Sequence, residues 1–333
     1  MKERLVPYLR CPDCGGALAL RADEREGGEV MSGELACGGC QRVYPVLRGV
    51  PRLLPADLGH LAAEVAEGFG WQWNRFDEID KPEYEVQLRD WLRPLAEEDF
   101  RGKVVLEGGC GKGRHSAIAA RWGAREVFAV DLGDAVEAAF RNTRHLDAVH
   151  VIQGDVTRLP LSRCADLSFS VGVLHHLPDP RAGFRSLTEH TLPGGRVAVW
   201  VYGAEGNEWI TRFVNPVRQG ITARMDRERL YQLTVPIGWL FSGLAKGLYR
   251  PAERYLPALH RRLFYSQYIT YIARLTTRDI HNIVFDQLVT PVAHYLPGDE
   301  VAAWFNDPRF ERVALDHDRG MSWRANAFVR AEG

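Results

Sequence analysis

The sequence is short of several things that would have fixed its class at once. It has almost no charge imbalance: 42 Lys and Arg stand against 43 Asp and Glu, a formal net charge of -1. That removes the global basic field by which nonspecific nucleic-acid binders hold a polyanion, while leaving a local basic patch open. No stretch reaches the roughly 18 uninterrupted apolar residues of a membrane span, and the opening MKERLVPYLRCPDC lacks the apolar core of a secretion signal. The chain therefore reads as soluble, unexported and cytoplasmic. Cysteine is scarce, at six in 333 residues, and four of the six fall in two C-x-x-C pairs. In a reducing compartment that pattern favours a metal over disulfides. What is plentiful is apolar content: 46% hydrophobic residues can bury a real core, and the length suggests about two domains.

The paired cysteines are Cys11 and Cys14, then Cys37 and Cys40, with glycines after the first pair and inside the second. Each pair can form a tight knuckle, and four thiolates with no open position describe a structural zinc site. Binding the ion can supply about 10–16 kcal/mol, which substitutes for the core that some fifty residues cannot build. Two chance pairs, or a redox dithiol, are the blander alternatives. The stretch also resembles the small zinc-ribbon domain related to the partner subunit of tRNA and protein methyltransferases, through its CPDCGGAL opening and YPVLRGVPRLLP close. The resemblance implies a scaffold or docking module over residues 1–55, with no catalytic part.

Residues 56–99 read as a helical linker or lid. Within FGWQWNRFDEID, Trp71 is expected to pack a helix onto the next domain, and Phe69 and Trp73 to cover a ligand.

The stretch VVLEGGCGKGR, residues 104–114, ends a buried β-branched run in a glycine loop, and SAIAARWGA then reads as a helix. A P-loop is excluded, because Gly113 follows Lys112 and no glycine stands at the required upstream position. A dinucleotide site would want G-x-G-x-x-G, whereas Gly109, Gly111 and Gly113 are spaced G-x-G-x-G. Glu107 points into the loop, where a carboxylate repels a pyrophosphate but suits an ammonium. S-adenosylmethionine (SAM) carries such a group and a sulfonium besides.

The E-x-G-x-G-x-G spacing resembles motif I of the class I methyltransferases. The order that follows resembles them too. A second strand ends in Asp131, a third in Asp155 and Val156, a fourth runs into GVLHHLPDP, and LPGGRVAVWVY is the fifth. The resemblance covers residues 100–202 and about 298–330. It implies an α/β fold: a Rossmann-like seven-stranded mixed sheet with a C-terminal antiparallel hairpin, joined here to the zinc ribbon and a helical cap insertion at 203–297. The last helix and hairpin, 298–333, complete the core. It further implies SAM as cofactor, bound by Glu107, Gly109, Gly111, Gly113, Asp131 on the ribose, Asp155 and Val156 on the adenine, and Gly172.

Methyl transfer needs alignment and exclusion of water, with a base only if the acceptor holds a proton. His175 and His176 stand in the loop after strand four. Adjacent residues pointing apart let one of them, His175 by preference, face the acceptor. Tyr202, and the cluster Asp286, His294 and Tyr295, resemble substrate-facing positions of related biosynthetic enzymes. HNIVFDQLVTPVAHYL reads as a loop into the last helix.

The leading expectation is therefore methylation of a small biosynthetic molecule on O, N or C, with a small-molecule acceptor as partner and nucleic acid disfavoured. Alternatives are an RNA methyltransferase that docks through the ribbon, a lipid or quinone enzyme using residues 233–245 at a membrane surface, and a noncatalytic SAM-binding scaffold. The sequence leaves the oligomeric state open.

Overall fold

A computed structural model describes residues 1–331 of the protein. Four antiparallel strands open the chain: β1 (Leu18–Glu26), β2 (Glu29–Cys37), β3 (Val43–Leu47) and β4 (Val50–Leu53). Two helices follow, α1 (His60–Arg75) and α2 (Pro82–Leu92). Then strands and helices alternate through β5 (Val104–Gly108), α3 (Arg114–Arg121), β6 (Glu126–Asp131), α4 (Ala135–Thr143), β7 (Val149–Gly154), β8 (Ala165–Val171), α5 (Pro180–His190) and β9 (Thr191–Tyr202). The hairpin β10 (Phe310–Asp318) and β11 (Ser322–Val329) closes the series after a short helix, Gly298–Trp304.

All eleven strands form one sheet, in the order β1-β2-β3-β4-β7-β6-β5-β8-β9-β11-β10. From β7 to β10 this is the seven-stranded sheet expected for the core, parallel until β11 inserts antiparallel beside β9. Helices cover both faces of such a sheet, so its inner strands are buried on both sides. Every residue of β5 and β7 is buried accordingly. The ribbon joins this sheet through β4, which pairs in parallel with β7 at Arg52–Gln153 and Leu53–Gly154. Chain order reverses between β5 and β8, the switch point beyond whose carboxyl ends open α/β sheets bind ligands.

The chain divides into two compact units, residues 1–205 with 292 onward, and 206–291. The second unit is helical, with Asn215–Gly220, Arg227–Leu244, Arg250–Tyr255, Ser266–Ile272 and Thr277–Val289 as its longer helices. Here one expectation is corrected. The first half of HNIVFDQLVTPVAHYL is helix, not loop, because Thr276 and Asp279 cap Thr277–Val289: Thr276 Oγ1 accepts the Asp279 N–H at 3.1 Å and donates to its carboxylate at 2.6 Å. Residues 292–297 fold with the first unit.

Candidate cofactor and acceptor site

The glycine loop turns on three residues with positive φ, Gly109 at 81°, Gly111 at 51° and Gly113 at 82°. A side chain is strained there, and at Gly109 a Cβ would also come within 2.3 Å of Val173. At Gly111 a Cβ would meet the Trp73 indole at 3.1 Å, so the tryptophan of α1 lies against the loop. Lys112 ties the two together: its buried ammonium donates to the Phe76 carbonyl at 2.7 Å and the Tyr84 hydroxyl at 3.3 Å. Lys112, with Arg114 among the rings of Trp73, Tyr84 and Trp91, was passed over in the sequence. The signal available was two cations beside a loop whose upstream segment is aromatic.

Glu107 ends β5 fully buried. Its carboxyl accepts the Ser116 hydroxyl and lies 3.1 Å from His115 Nδ1, both from the first turn of α3. Burial lifts it from 4.5 to about 7. Asp131, at the end of β6, accepts the N–H groups of Gly111 at 2.8 Å and Gly133 at 3.0 Å, one on each oxygen, and desolvation lifts it to about 6. Asp155 follows β7, with Oδ1 accepting both the N–H and the hydroxyl of Thr157 at 2.8 Å. Val156 is buried beside Gly108. Gly172, at a φ of 74°, opens the loop after β8. Two carboxylates on adjacent parallel strands, beside a loop open to close backbone approach, form a set of acceptors that fits the ribose hydroxyls and the adenine amino group of SAM.

Beyond β8 the structure departs from expectation. His175 and His176 do not point apart. They share a 3₁₀ turn, Leu174–His176, which brings their ring centroids to 4.3 Å, and both are buried. His175 Nδ1 accepts the Tyr202 N–H at 3.3 Å, so its neutral form carries the proton on Nε2. His176 Nδ1 lies 2.8 Å from the Val292 carbonyl and must donate to it, which leaves the lone pair on Nε2. Tyr202 stacks on His175 at 3.9 Å and on Tyr295 at 5.6 Å, and Phe69 lies 4.8 Å from His176. The His294 N–H donates to the His175 carbonyl at 2.7 Å, fixing residues 292–297 along these strand ends. The histidines, Tyr202, His294, Tyr295 and Phe69 are thus brought together. Asp286 belongs to the helical unit, on Thr277–Val289.

At the other end of the sheet, one Sγ from each of Cys11, Cys14, Cys37 and Cys40 lies within 4.8 Å of the others. Tetrahedral zinc with bonds of about 2.3 Å requires sulfurs about 3.8 Å apart, so the set fits the ion.

Comparison with known proteins matches this geometry. Residues 106–199 match the methyltransferase domain family, and residues 2–49 the Trm112p-like protein family. The chain carries a SAM-dependent methyltransferase domain. In front of it stands a Trm112p-like zinc-ribbon domain with its cysteine cluster.

Among curated relatives, the tRNA U34 carboxymethyltransferase of Pseudoalteromonas translucida is 32% identical over 122 residues, 35% of this chain and 38% of that one. The tRNA U34 carboxymethyltransferase of Vibrio cholerae is 27% identical over 142 residues, 41% and 39% of the two chains. The matched segment thus spans under two fifths of these relatives' length. A solved complex of the Haloferax volcanii Trm112 methyltransferase activator with a methyltransferase is similar at 13% identity, over 80% of this chain and 98% of that one, with a TM-score of 0.47.

These relatives overturn the expectation of a small biosynthetic acceptor and the disfavouring of nucleic acid, since those named act on tRNA. The near-zero net charge does not stand against a nucleic-acid substrate, because it is a sum over the whole chain and is silent on local patches. Among the described residues no helix is long and apolar enough to cross a membrane.

Proposed function

We propose that the chain methylates tRNA in the cytoplasm. The observation that carries this reading is the naming of the relatives aligned to its SAM-binding core, each a tRNA U34 carboxymethyltransferase. When bound, SAM supplies a carbon made electrophilic by its sulfonium. Glu107 and the turns at Gly109, Gly111 and Gly113 receive its methionine end, Asp131 accepts the ribose hydroxyls, and Asp155 with Val156 and Gly172 holds the adenine. Phe69 and Tyr295 offer aromatic rings against which an unstacked base can lie, the usual way a protein takes a single-stranded nucleotide, while Tyr202, stacked on both His175 and Tyr295, holds that wall in place. His176 Nε2 then receives the proton of the attacking group. His175 positions its neighbour and Tyr202, and its Nε2–H tautomer makes it a donor. The ribbon holds one structural zinc through its four cysteines and serves as scaffold.

The test is incubation of the full chain with methyl-labelled SAM and bulk tRNA, followed by mass spectrometry of the nucleosides, beginning with position 34. Label in a tRNA nucleoside is the expected result. Label confined to protein or to small molecules would sink the reading.

A further inference from the structure

Within the helical unit 206–291, one helix is built inside out. Along Arg227–Leu244 and the turn Ala245–Tyr249 that continues it, the buried positions are Leu230, Thr234, Gly238, Ser242, Ala245 and Tyr249, mostly small or hydroxyl-bearing. This face packs on Thr277–Val289 at close range. A Cβ at Gly238 would fall 2.7 Å from that of His281, Thr234 Oγ1 lies 2.9 Å from His281 Nε2, and Ser242 Oγ lies 2.9 Å from Thr277 Oγ1. The exposed face, at three- and four-residue spacing, is Leu233, Ile237, Leu240, Leu244 and Leu248, with Trp239 beside it. Leu240 is 77% exposed and Trp239 67%. A helix on a water-soluble domain turns its branched apolar residues inward. Small residues and side-chain hydrogen bonds between helices, with branched apolar groups outward, are the arrangement found where the surroundings are lipid. Phe213, Val217 and Ile221 form a second exposed stripe at four-residue spacing.

Charge says which surface covers these stripes. The chain as a whole has a net charge of -1, yet residues 206–291 hold twelve Lys or Arg against six Asp or Glu. Arg212 and Arg254 lie over the rings of their exposed neighbours Phe213 and Tyr255, at 5.6 and 5.3 Å, so a cation stands against the second stripe at Phe213 and another against an exposed aromatic of the same unit. An apolar stripe with basic and aromatic flanks, on a helix too polar to cross a membrane, suits an anionic bilayer. We propose that this unit docks the protein on an anionic lipid surface, with the helix from Arg227 to Tyr249 lying in the headgroup plane. A second copy of the chain would set two basic units face to face. An RNA would engage the arginines and leave the aliphatic stripe in water. The inference goes beyond the tRNA reading and stands apart from it.

The experiment is flotation of the full chain with phosphatidylcholine vesicles, with and without phosphatidylglycerol. The expected result is flotation with the anionic vesicles only, reduced by salt and by Arg212→Glu/Arg254→Glu. Leu240→Glu should lower vesicle binding at least about tenfold, since an apolar side chain is lost from the membrane. Because Leu240 is exposed, Tm and S-adenosylhomocysteine binding should not change. Three results would overturn the proposal: no flotation on either vesicle, flotation that Leu240→Glu leaves intact, or a lipid-free dimer that Leu240→Glu dissociates.

Discussion

Glu107 stands where folding and ligand binding make opposite demands. Burial favours its neutral form, lifting it to about 7, while the contact proposed for it with the ammonium of SAM wants the carboxylate. The sign follows from linkage. The folded state holds this proton more tightly than the unfolded chain, so its contribution to stability is full below about 4.5 and is lost as pH rises through about 7. Glu107→Gln, which cannot ionise, should therefore melt with wild type at pH 5 and above it at pH 8, as scanning calorimetry would show. The same variant should bind S-adenosylhomocysteine about tenfold more weakly, a charge-assisted hydrogen bond having been removed. At the acceptor end, His176→Ala should cut turnover about 10²–10⁴-fold with cofactor affinity nearly intact. Turnover unchanged in steady-state assay would reduce that imidazole to packing. The carboxylate was legible from its spacing to the glycines. The choice between the two histidines was not, because it depends on which backbone groups reach each ring, Tyr202 in one case and Val292 in the other.

At the scale of elements, the glycine loop is one part of a composite with α1 and α2. Lys112 donates across to the Phe76 carbonyl and Tyr84, and Trp73 covers Gly111. Lys112→Met should loosen these helices without unfolding β5. Faster amide exchange over residues 73–84, together with weaker S-adenosylhomocysteine binding, is the expected readout. Gly109→Ala acts on the loop itself, adding a Cβ at positive φ against Val173; backbone strain of about 1–3 kcal/mol should lower cofactor affinity about 5- to 150-fold in calorimetry. Strand order and the final hairpin were readable because apolar runs ending in Glu107, Asp131 and Asp155 recur in a fixed sequence. The helix Thr277–Val289 was read as a loop because its capping pair, Thr276 and Asp279, lies before the stretch HNIVFDQLVTPVAHYL, which holds only its later turns and the proline beyond its end.

For the whole molecule, the continuous sheet means that the ribbon and the methyltransferase core share a hydrogen-bond ladder at β4 and β7. Cys14→Ser, or zinc removal by chelation, should lower the melting temperature of the core transition itself; a separate early transition with the core unmoved would count against this coupling. The ribbon's presence was legible from four cysteines. Its attachment was not, since VPRLL gives no sign of which edge it will join. That ladder also sets a timetable for the growing chain. The strand Val50–Leu53 leaves the ribosome about a hundred residues before its partner Val149–Gly154, an interval of roughly 5–20 s at ordinary elongation rates. The N-terminal module thus completes its metal knuckles early and waits with one strand unmated, for as long as the ribosome takes to deliver residues 54–154.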